Sequence, residues 1–240
     1  MLIVFGFYTD DPVYEKHAMM LKASAYKFGI ELELHKVLQD DWQTIIAYKT
    51  KFIAEMRRRL NGPILYIDVD ALILEDIRPY FLNIQEDIAV HYLDDAELIS
   101  ATIFLNDTPA TYALINEWEQ RQKENPDIWD QVILENILNE WEGVNKITIH
   151  KLSPSYTFIY DTSLNIYGNE YKPAIEHYQA SRDKRWLTKY KSRSLFQQWL
   201  MRIPNLRRGT RKIMRRHDHV NKRLKELEVN MSINIRDILP

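Results

Sequence analysis

Ile64-Leu65-Tyr66-Ile67-Asp68-Val69-Asp70-Ala71-Leu72 is an apolar run that ends abruptly in two carboxylates spaced i, i+2. Coming straight after Asn61-Gly62-Pro63, it predicts a buried strand over 64–68. In an extended chain, residues two apart point to the same side. Asp68 and Asp70 are therefore expected to aim together from the strand end. Two like charges a few ångströms apart in a partly dry site repel by roughly several kcal/mol. A hard divalent cation such as Mg²⁺ or Mn²⁺ relieves that repulsion, because it prefers carboxylate oxygens. The stretch implies metal-dependent chemistry on a phosphorylated substrate. The plainer alternative is a strand end whose acids only cap a turn.

The flanking sequence alternates strand and helix. Residues 2–8 read as a buried strand, and Thr9-Asp10-Asp11-Pro12 as a turn into a helix capped by Asp10 or Asp11. That helix carries Tyr14, Ala18, Leu21, Ala25 and Phe28 at helical spacing and stops near Gly29. A strand over 31–36 follows, then a helix over 42–60 with Ile45, Ile46, Phe52, Ile53 and Met56 on one face. This βαβαβ order predicts an α/β domain with a largely parallel sheet. Ligands bind such sheets beyond the carboxyl ends of the strands. Tyr8-Thr9-Asp10 and Asp68-Val69-Asp70 are both expected there. Further strands are predicted over 87–92, 100–106 and 146–152, with helices over 109–124 and 127–141. Residues 153–175 read as aromatic and loop-rich.

The chain has 240 residues, 45% of them hydrophobic, enough for one large domain or a domain with an appendage. It has no cysteine, which excludes disulfides, zinc–thiolate sites and a cysteine nucleophile. The apolar N-terminus lacks a basic region and reads as a strand rather than a signal peptide. No run reaches the roughly 18 apolar residues that cross a bilayer. The expected location is cytoplasmic, soluble or peripheral at a membrane. The net charge of −2 hides an asymmetry. Residues 1–181 hold 15 Lys/Arg against 29 Asp/Glu, a sum of −14. Residues 182–225 hold 16 Lys/Arg against Asp183 and Asp218, a sum of +14. A basic end on an acidic body suggests a polyanionic partner, or an end that folds back onto the body. The apolar stripe Ile213, His217, Val220, Leu224 and Leu227 on that end predicts a helix packed on a partner, a membrane or nucleic acid. So do the aromatics Trp186, Tyr190, Phe196 and Trp199 among its Arg and Lys, and Phe196, Trp199, Leu200 and Ile203 fall on one helical face.

Neither G-x-x-x-x-G-K-[ST] nor G-x-G-x-x-G occurs, and the chain has only 6 glycines, which argues against a P-loop NTPase or a Rossmann dehydrogenase. Asp68-Val69-Asp70, after a hydrophobic strand and a Lys-bearing helix, resembles the DxD motif of GT-A-type glycosyltransferases. The likeness is to the nucleotide-diphospho-sugar transferase families, of the retaining galactosyl- and xylosyltransferase sort. It runs from about residue 3 to residue 186. It takes in Trp42…Lys49/Lys51…Phe52-Ile53, Ser100-Ala-Thr-Ile-Phe-Leu-Asn106 followed by Trp118, Trp129-Asp130-Gln131 and His177-Tyr-Gln-Ala-Ser-Arg182.

The resemblance implies a GT-A-like, mixed but mainly parallel sheet flanked by helices over residues 1–181, with a basic, mainly helical extension over 182–240. It implies that Asp68 and Asp70 hold Mn²⁺ or Mg²⁺ against the diphosphate of a sugar-nucleotide donor, a UDP-sugar above all, with His177 as third ligand. Tyr8, Thr9 and Asp10 would lie near base and ribose. Lys51 would reach a phosphate. Ser100 and Thr102 would flank the donor sugar, and Asp130 and Gln131 the reacting centre. The family often has a Gly- and Lys-containing run after its histidine. Tyr178-Gln179-Ala180-Ser181-Arg182 stands there instead, leaving Arg182, Lys184 or Arg185 as alternative diphosphate contacts. An inverting reaction would need Asp130 or Asp95 as base. The acceptor implied is a hydroxyl, on a lipid-linked glycan or a modified DNA base.

Plainer readings stand beside these. His177 can be an ordinary histidine, Asp130 a first-turn acid favouring a helix dipole, Lys51 a solvated lysine, and Trp118, Trp129 and Trp141 core packing. Two other functions compete. Asp68-Val69-Asp70-Ala71-Leu72-Ile73 is similar to the motif of haloacid-dehalogenase-type phosphatases, with Asp94-Asp95 as the later acidic pair, although its Gly and Thr are missing. A non-catalytic polyanion-binding module is the other.

Overall fold

The computed structural model describes residues 1–38, 42–194, 196–198 and 208–234, without the side chains of 42–47 and 208. β1 (Ile3–Thr9) pairs in parallel with β2 (Leu32–Val37) and with β3 (Ile64–Ile67). The crossovers are α1 (Pro12–Lys27) and α2 (Trp42–Arg59). Asp11 caps α1 by accepting the Val13 N–H at 2.9 Å, and Pro12 opens its first turn. β1 and β3 are apolar on both faces because both faces are covered. Phe5, Phe7, Ile64 and Tyr66 join a core with α2 and the later helices α4 (Pro109–Glu124) and α5 (Asp130–Glu142). Val4, Leu65 and Ile67 join a second core with Ala18, Leu21 and Ala25 of α1.

The predicted βαβαβ half is present, and the sheet then changes direction. β5 (Ile88–Leu93) and β6 (Glu97–Leu105) form a hairpin, and β6 runs antiparallel to β3. Asp94, Asp95 and Ala96 are its exposed three-residue connection, in which Asp94 and Asp95 have φ of 52° and 56° and the Ala96 N–H donates to the Leu93 carbonyl at 3.1 Å. β7 (Ile149–Lys151) closes the sheet in the order β2-β1-β3-β6-β5-β7.

A second, small sheet was not foreseen. β4 (Ala71–Ile73), β8 (Phe158–Ile159) and β9 (Ile175–His177) pair in the order β4-β9-β8. Within 153–175, expected to be loop-rich, lie β8 and α6 (Tyr160–Tyr167). A short α3 (Arg78–Phe81) precedes β5. Strands of two or three residues carry too little pattern to be read without their partners.

The basic end contributes α7 (Ala180–Lys191) and α8 (Arg208–Glu226). Its apolar stripe meets the protein itself rather than an outside partner. Ile213 packs with Val13, Trp186 and Tyr190, while Val220 and Leu224 pack with Met20, Leu72 and Tyr178. Trp199, Leu200 and Ile203 lie outside the described residues. Buried acids anchor the two helices. Asp183 accepts from Arg216 at 2.7 Å and pairs with His217 at 2.6 Å. Glu176, on β9, accepts from Arg223 at 2.9 Å and from Tyr178 at 2.9 Å, and pairs with His219 at 2.9 Å. These contacts realise the folded-back alternative for part of the basic charge.

Two close fits hold β3 in place. A Cβ on Gly6 would lie 2.6 Å from the Ile67 carbonyl oxygen and 3.5 Å from Val69. The strands thus meet closely just before Asp68. Buried Arg57 donates to the carbonyls of Gly62 at 2.7 Å and of Leu105 and Asn106 at 3.4 Å. It ties the end of α2 to the entry of β3 and the exit of β6.

Gly6→Ala should therefore destabilise the fold by about 1–3 kcal/mol through overpacking. That corresponds to a melting temperature lower by roughly 2–4 °C per kcal/mol for a chain of this size, read by circular dichroism. An unchanged melt would remove the close-approach argument.

Burial pushes the Glu176 carboxyl up, but His219, Arg223 and Tyr178 pull it down, and the net position is below the ordinary glutamate value. A carboxylate lowered by folding stabilises above its unfolded pKa, and that stability is lost as pH falls through the folded value. Arg223 and His219 remain 25% and 20% exposed, so Glu176→Gln should cost on the order of 2 kcal/mol at pH 7, less than a fully buried pair. The gap in melting temperature between wild type and variant should close as pH drops below the ordinary glutamate range. A gap independent of pH would mean that shape, not charge, matters there.

Candidate active site

The carboxyl ends of β1 and β3 lie on one side of the sheet because the strands are parallel. The acidic stretch leaves from that edge. β3 ends at Ile67, one residue earlier than predicted, and Asp68-Val69-Asp70 is a turn into β4 of the small sheet. The two acids thus do not share one strand face. Asp68 looks back to the large sheet and Asp70 to the small one, while buried Val69 packs in the core beneath them.

On the large-sheet side the organising group is Lys49. Its Nζ is buried and donates to the Ser100 carbonyl at 2.8 Å and to Ser100 Oγ at 3.0 Å. It lies 3.3 Å from Asp68 Oδ1 and 3.5 Å from Asp130 Oδ2. Ser100 Oγ donates to Asp130 Oδ2 at 2.9 Å, and Tyr66 Oη to Asp68 Oδ1 at 2.6 Å. Burial depresses the Lys49 ammonium, yet Asp68 and Asp130 outweigh it and hold the group above its ordinary value. For Asp68, removal from water acts first and raises the carboxyl, Lys49 and Tyr66 lower it, and the Asp70 charge raises it. The net is above the ordinary value.

On the small-sheet side, β4 and β9 pair Ala71 with His177, and the Tyr178 N–H donates to the Asp70 carbonyl at 2.8 Å. Asp70 Oδ2 accepts the Ala180 N–H at the first turn of α7 at 2.8 Å. Burial raises the Asp70 carboxyl, but His177, His17 and that N–H pull it below its ordinary value. His177 Nε2 lies 3.0 Å from Thr102 Oγ1. Its Nδ1 is buried, lacks a hydrogen-bond partner among the described residues, and sits 3.7 Å from Asp70 Oδ1. A nitrogen lone pair facing a carboxylate oxygen needs a proton or a cation between them. Asp70 and His177 thus fit a divalent cation, with Asp68 as neighbouring oxygen donor. Among the described residues, no group of three or more acidic or histidine side chains is already drawn together around one point.

The predicted residues distribute unevenly. Asp68, Asp70, Ser100, Thr102, Asp130 and His177 are brought together. Thr9 is buried at the end of β1, and its Oγ1 has no hydrogen-bond partner among the described residues. Tyr8 packs partly buried beside it, and exposed Asp10 donates its N–H to Val37 at 3.0 Å. Gln131 stays on the rim, donating to Glu97 at 2.9 Å. Lys51 faces solvent and pairs with Glu55 at 3.7 Å, one turn along α2. The lysine that reaches the cluster is Lys49. The i, i+2 spacing puts the two lysines on different faces of α2, and only the packing of Phe52 and Ile53 decides which face is inward. Arg182 donates to Asp161 at 3.0 Å, Lys184 pairs with Asp11 at 3.3 Å, and Arg185 is exposed. Asp94 and Asp95 are the exposed hairpin turn, so the later acids of the phosphatase reading do not join the cluster. Trp118, expected as core, also donates to the Asp130 carbonyl at 3.0 Å.

A mixed, mainly parallel sheet flanked by helices is the architecture of GT-A-type glycosyltransferases, and solved glycosyltransferases share that fold. GlyE of Streptococcus pneumoniae TIGR4 superposes with a TM-score of 0.54 at 16% identity, over 78% of this chain and 56% of that one. A glycosyltransferase involved in glycosylation of the major capsid of PBCV-1 gives 0.56 at 9% identity, over 77% of this chain and 97% of that one. This chain thus spans little more than half of the pneumococcal enzyme. No curated protein matches it by sequence. The profile of the nucleotide-diphospho-sugar transferase family matches residues 14–193, and the chain belongs to that family of glycosyltransferases.

Lys49→Met strands Asp130 in the interior without its cation. It should cost about 3 kcal/mol, the range for breaking a buried pair. Lys51→Met should stay within about 1 kcal/mol, as exposed pairs do. Thermal melts of the two variants decide it. Equal losses would mean that Lys49 is not the buried cation on which the cluster depends.

Proposed function

We propose that this chain is a divalent-metal-dependent, retaining glycosyltransferase that takes a hexose or pentose from a nucleoside-diphosphate donor, a UDP-sugar first. The sugar passes to a hydroxyl acceptor. The observation that carries this is the orphaned Nδ1 of His177 facing Asp70, next to Asp68. Asp70, His177 and Asp68 are the residues that would hold Mn²⁺ or Mg²⁺. A bound cation supplies Lewis acidity that offsets charge on the departing diphosphate. The chain's own residues do the rest. Lys49 and Ser100 fix Asp130 where the donor sugar would lie, and Thr102 orients the His177 ring. Thr9 offers an unpaired hydroxyl at the nucleoside end, beside Tyr8 and Asp10.

In the transfer, the bond between the anomeric carbon and the diphosphate oxygen breaks and the acceptor oxygen bonds that carbon. The nucleoside diphosphate leaves with the electron pair and the hydroxyl proton is released. Retention is favoured by what became of the candidate bases. Asp130 Oδ2 is engaged by Ser100, and Asp95 lies in an exposed turn.

Arg185, Lys189, Lys212, Arg215, Lys222 and Lys225 face solvent on α7 and α8. We read them as the surface that brings the enzyme to a polyanionic setting from the cytoplasmic side. An anionic membrane with a lipid-linked glycan fits it, and so does nucleic acid with a modified base. Among the described residues no helix is long and apolar enough to cross a membrane.

Calorimetry with UDP-glucose, UDP-galactose, UDP-xylose and GDP-mannose tests the central claim. At least one should bind with Mn²⁺ present, and much more weakly with EDTA or in Asp70→Ala. If none binds, and Asp68→Ala and Asp70→Ala change nothing, the reading fails. Co-sedimentation with anionic vesicles beside a DNA shift assay across salt tests the basic face, whose binding should weaken steeply as salt rises.

A further inference from the structure

The small sheet that carries Asp70's neighbour strand and His177 is too slight to stand alone. β8 has two residues, and β4 and β9 have three each. Sheets that small need a helix packed on them. The register shows which way each residue turns. Ala71 lies opposite His177, Leu72 opposite Glu176 and Ile73 opposite Ile175, and neighbours along a strand face opposite sides. Ala71, Ile73 and Ile175 lie in the core shared with α1, and His177 turns the same way, toward Thr102 and Asp70. Leu72, Glu176 and Tyr178 turn the other way, and α8 covers them. Val220 and Leu224 pack with Leu72 and Tyr178, while His219 and Arg223 take the Glu176 carboxylate. Residues 219, 220, 223 and 224 share one helical face.

The Glu176 side chain is only 1% exposed. A carboxylate buried to that extent stays where its partners hold it. Arg223 Nε donates to Oε2 and Tyr178 Oη donates to the same oxygen, while His219 Nε2 pairs with Oε1, each at 2.9 Å. Arg223 also donates to Glu226 at 3.0 Å, within α8. The Tyr178 N–H donates to the Asp70 carbonyl at 2.8 Å. His177 is thus flanked by one residue fixed to α8 and one fixed to Asp70. We propose that Arg223 and His219 are positioning residues for the Asp70–His177 pair. Through Glu176 they hold β9 where the His177 ring meets the Asp70 carboxylate. The proposal rests on the metal-dependent reading above. Small hard cations demand near-ideal ligand geometry, and these two ligands come from different chain segments. Whatever fixes β9 against β4 therefore sets how well one ion is held. Groups behind a metal ligand commonly change its affinity 10–100-fold.

The test reads metal binding rather than turnover. Mn²⁺ is titrated into the full chain with UDP present, and free Mn²⁺ is followed by electron paramagnetic resonance. Arg223→Ala should bind Mn²⁺ about tenfold more weakly than wild type, the lower end of that range. Arg223→Lys, which keeps a cation facing Glu176, should recover most of the loss. His219→Phe keeps a ring stacked on Tyr160, removes the nitrogen that meets Glu176 and should weaken Mn²⁺ in the same direction. It carries the test if Arg223→Ala does not fold. Leu114→Ala, in the core with α2 and α5, measures plain destabilisation. It should melt earlier and bind Mn²⁺ like wild type. Unchanged Mn²⁺ affinity in the folded Arg223 and His219 variants overturns the proposal. So does an equal loss in Leu114→Ala. Wild type that binds UDP but no Mn²⁺ fails the metal reading itself, and the proposal with it.

Discussion

One buried ammonium holds the site together. Lys49 Nζ lies between Asp68 and Asp130 with both Ser100 oxygens on it. Without a cation there, Asp130 would be a buried carboxylate with only a hydroxyl for company, and burial of an unpaired charge is too costly to persist. The lysine comes from α2, Asp68 from the end of β3, Ser100 from β6 and Asp130 from the start of α5. Four elements distant in sequence are thus referred to one point. The close fit at Gly6 and the Arg57 clasp matter to function for this reason: both set where β3 ends.

The second half of the site is set from the other side. Asp70 is held by its carbonyl to Tyr178 and by its carboxylate to Ala180. His177 is delivered by β9. On the same short strand Glu176 points the opposite way, into Arg223 and His219 of α8. One residue of β9 faces Asp70 and its neighbour faces the basic helices. Of the basic extension, the described α8 therefore contacts the strand that delivers His177, and α7 opens at the N–H that the Asp70 carboxylate accepts. Part of its basic charge neutralises Asp161, Glu176 and Asp183, and the exposed remainder is what an outside polyanion could meet.

What could be read from the sequence follows from the range of the forces involved. β1, α1, β2, α2 and β3 were legible because each carries a full period of apolar residues and a clear stop. Asp68, Asp70, Ser100, Asp130 and His177 were legible as an ordered set. The hairpin turn at Asp94-Asp95 was not, since neither residue is the glycine that usually signals positive φ. The small sheet was not, since Ala71–Ile73 and Ile175–His177 make sense only as partners of each other. Choosing Lys51 over Lys49 failed for the same reason, because helix phase relative to the sheet is a tertiary fact. Trp129 failed differently. Exposure of a tryptophan opposes the ordinary burial rule, and such violations concentrate where function sets the terms.

That last point bears on the charge of the site as well. Folding lifts the Asp68 carboxyl above its ordinary value while it lowers that of Asp70. A raised carboxyl contributes stability only below its unfolded pKa and loses it as pH rises through the folded value. Burial and the Asp70 charge thus disfavour the charged form of Asp68, and Lys49 and Tyr66 offset part of that. The Nδ1 of His177, without a hydrogen-bond partner among the described residues, lies 3.7 Å from Asp70. The indole of Trp129, directly before Asp130 in the chain, is exposed. Buried charge at Asp68 and Asp70 and exposed apolar surface at Trp129 are thus two departures from the ordinary burial rule within one stretch of the fold.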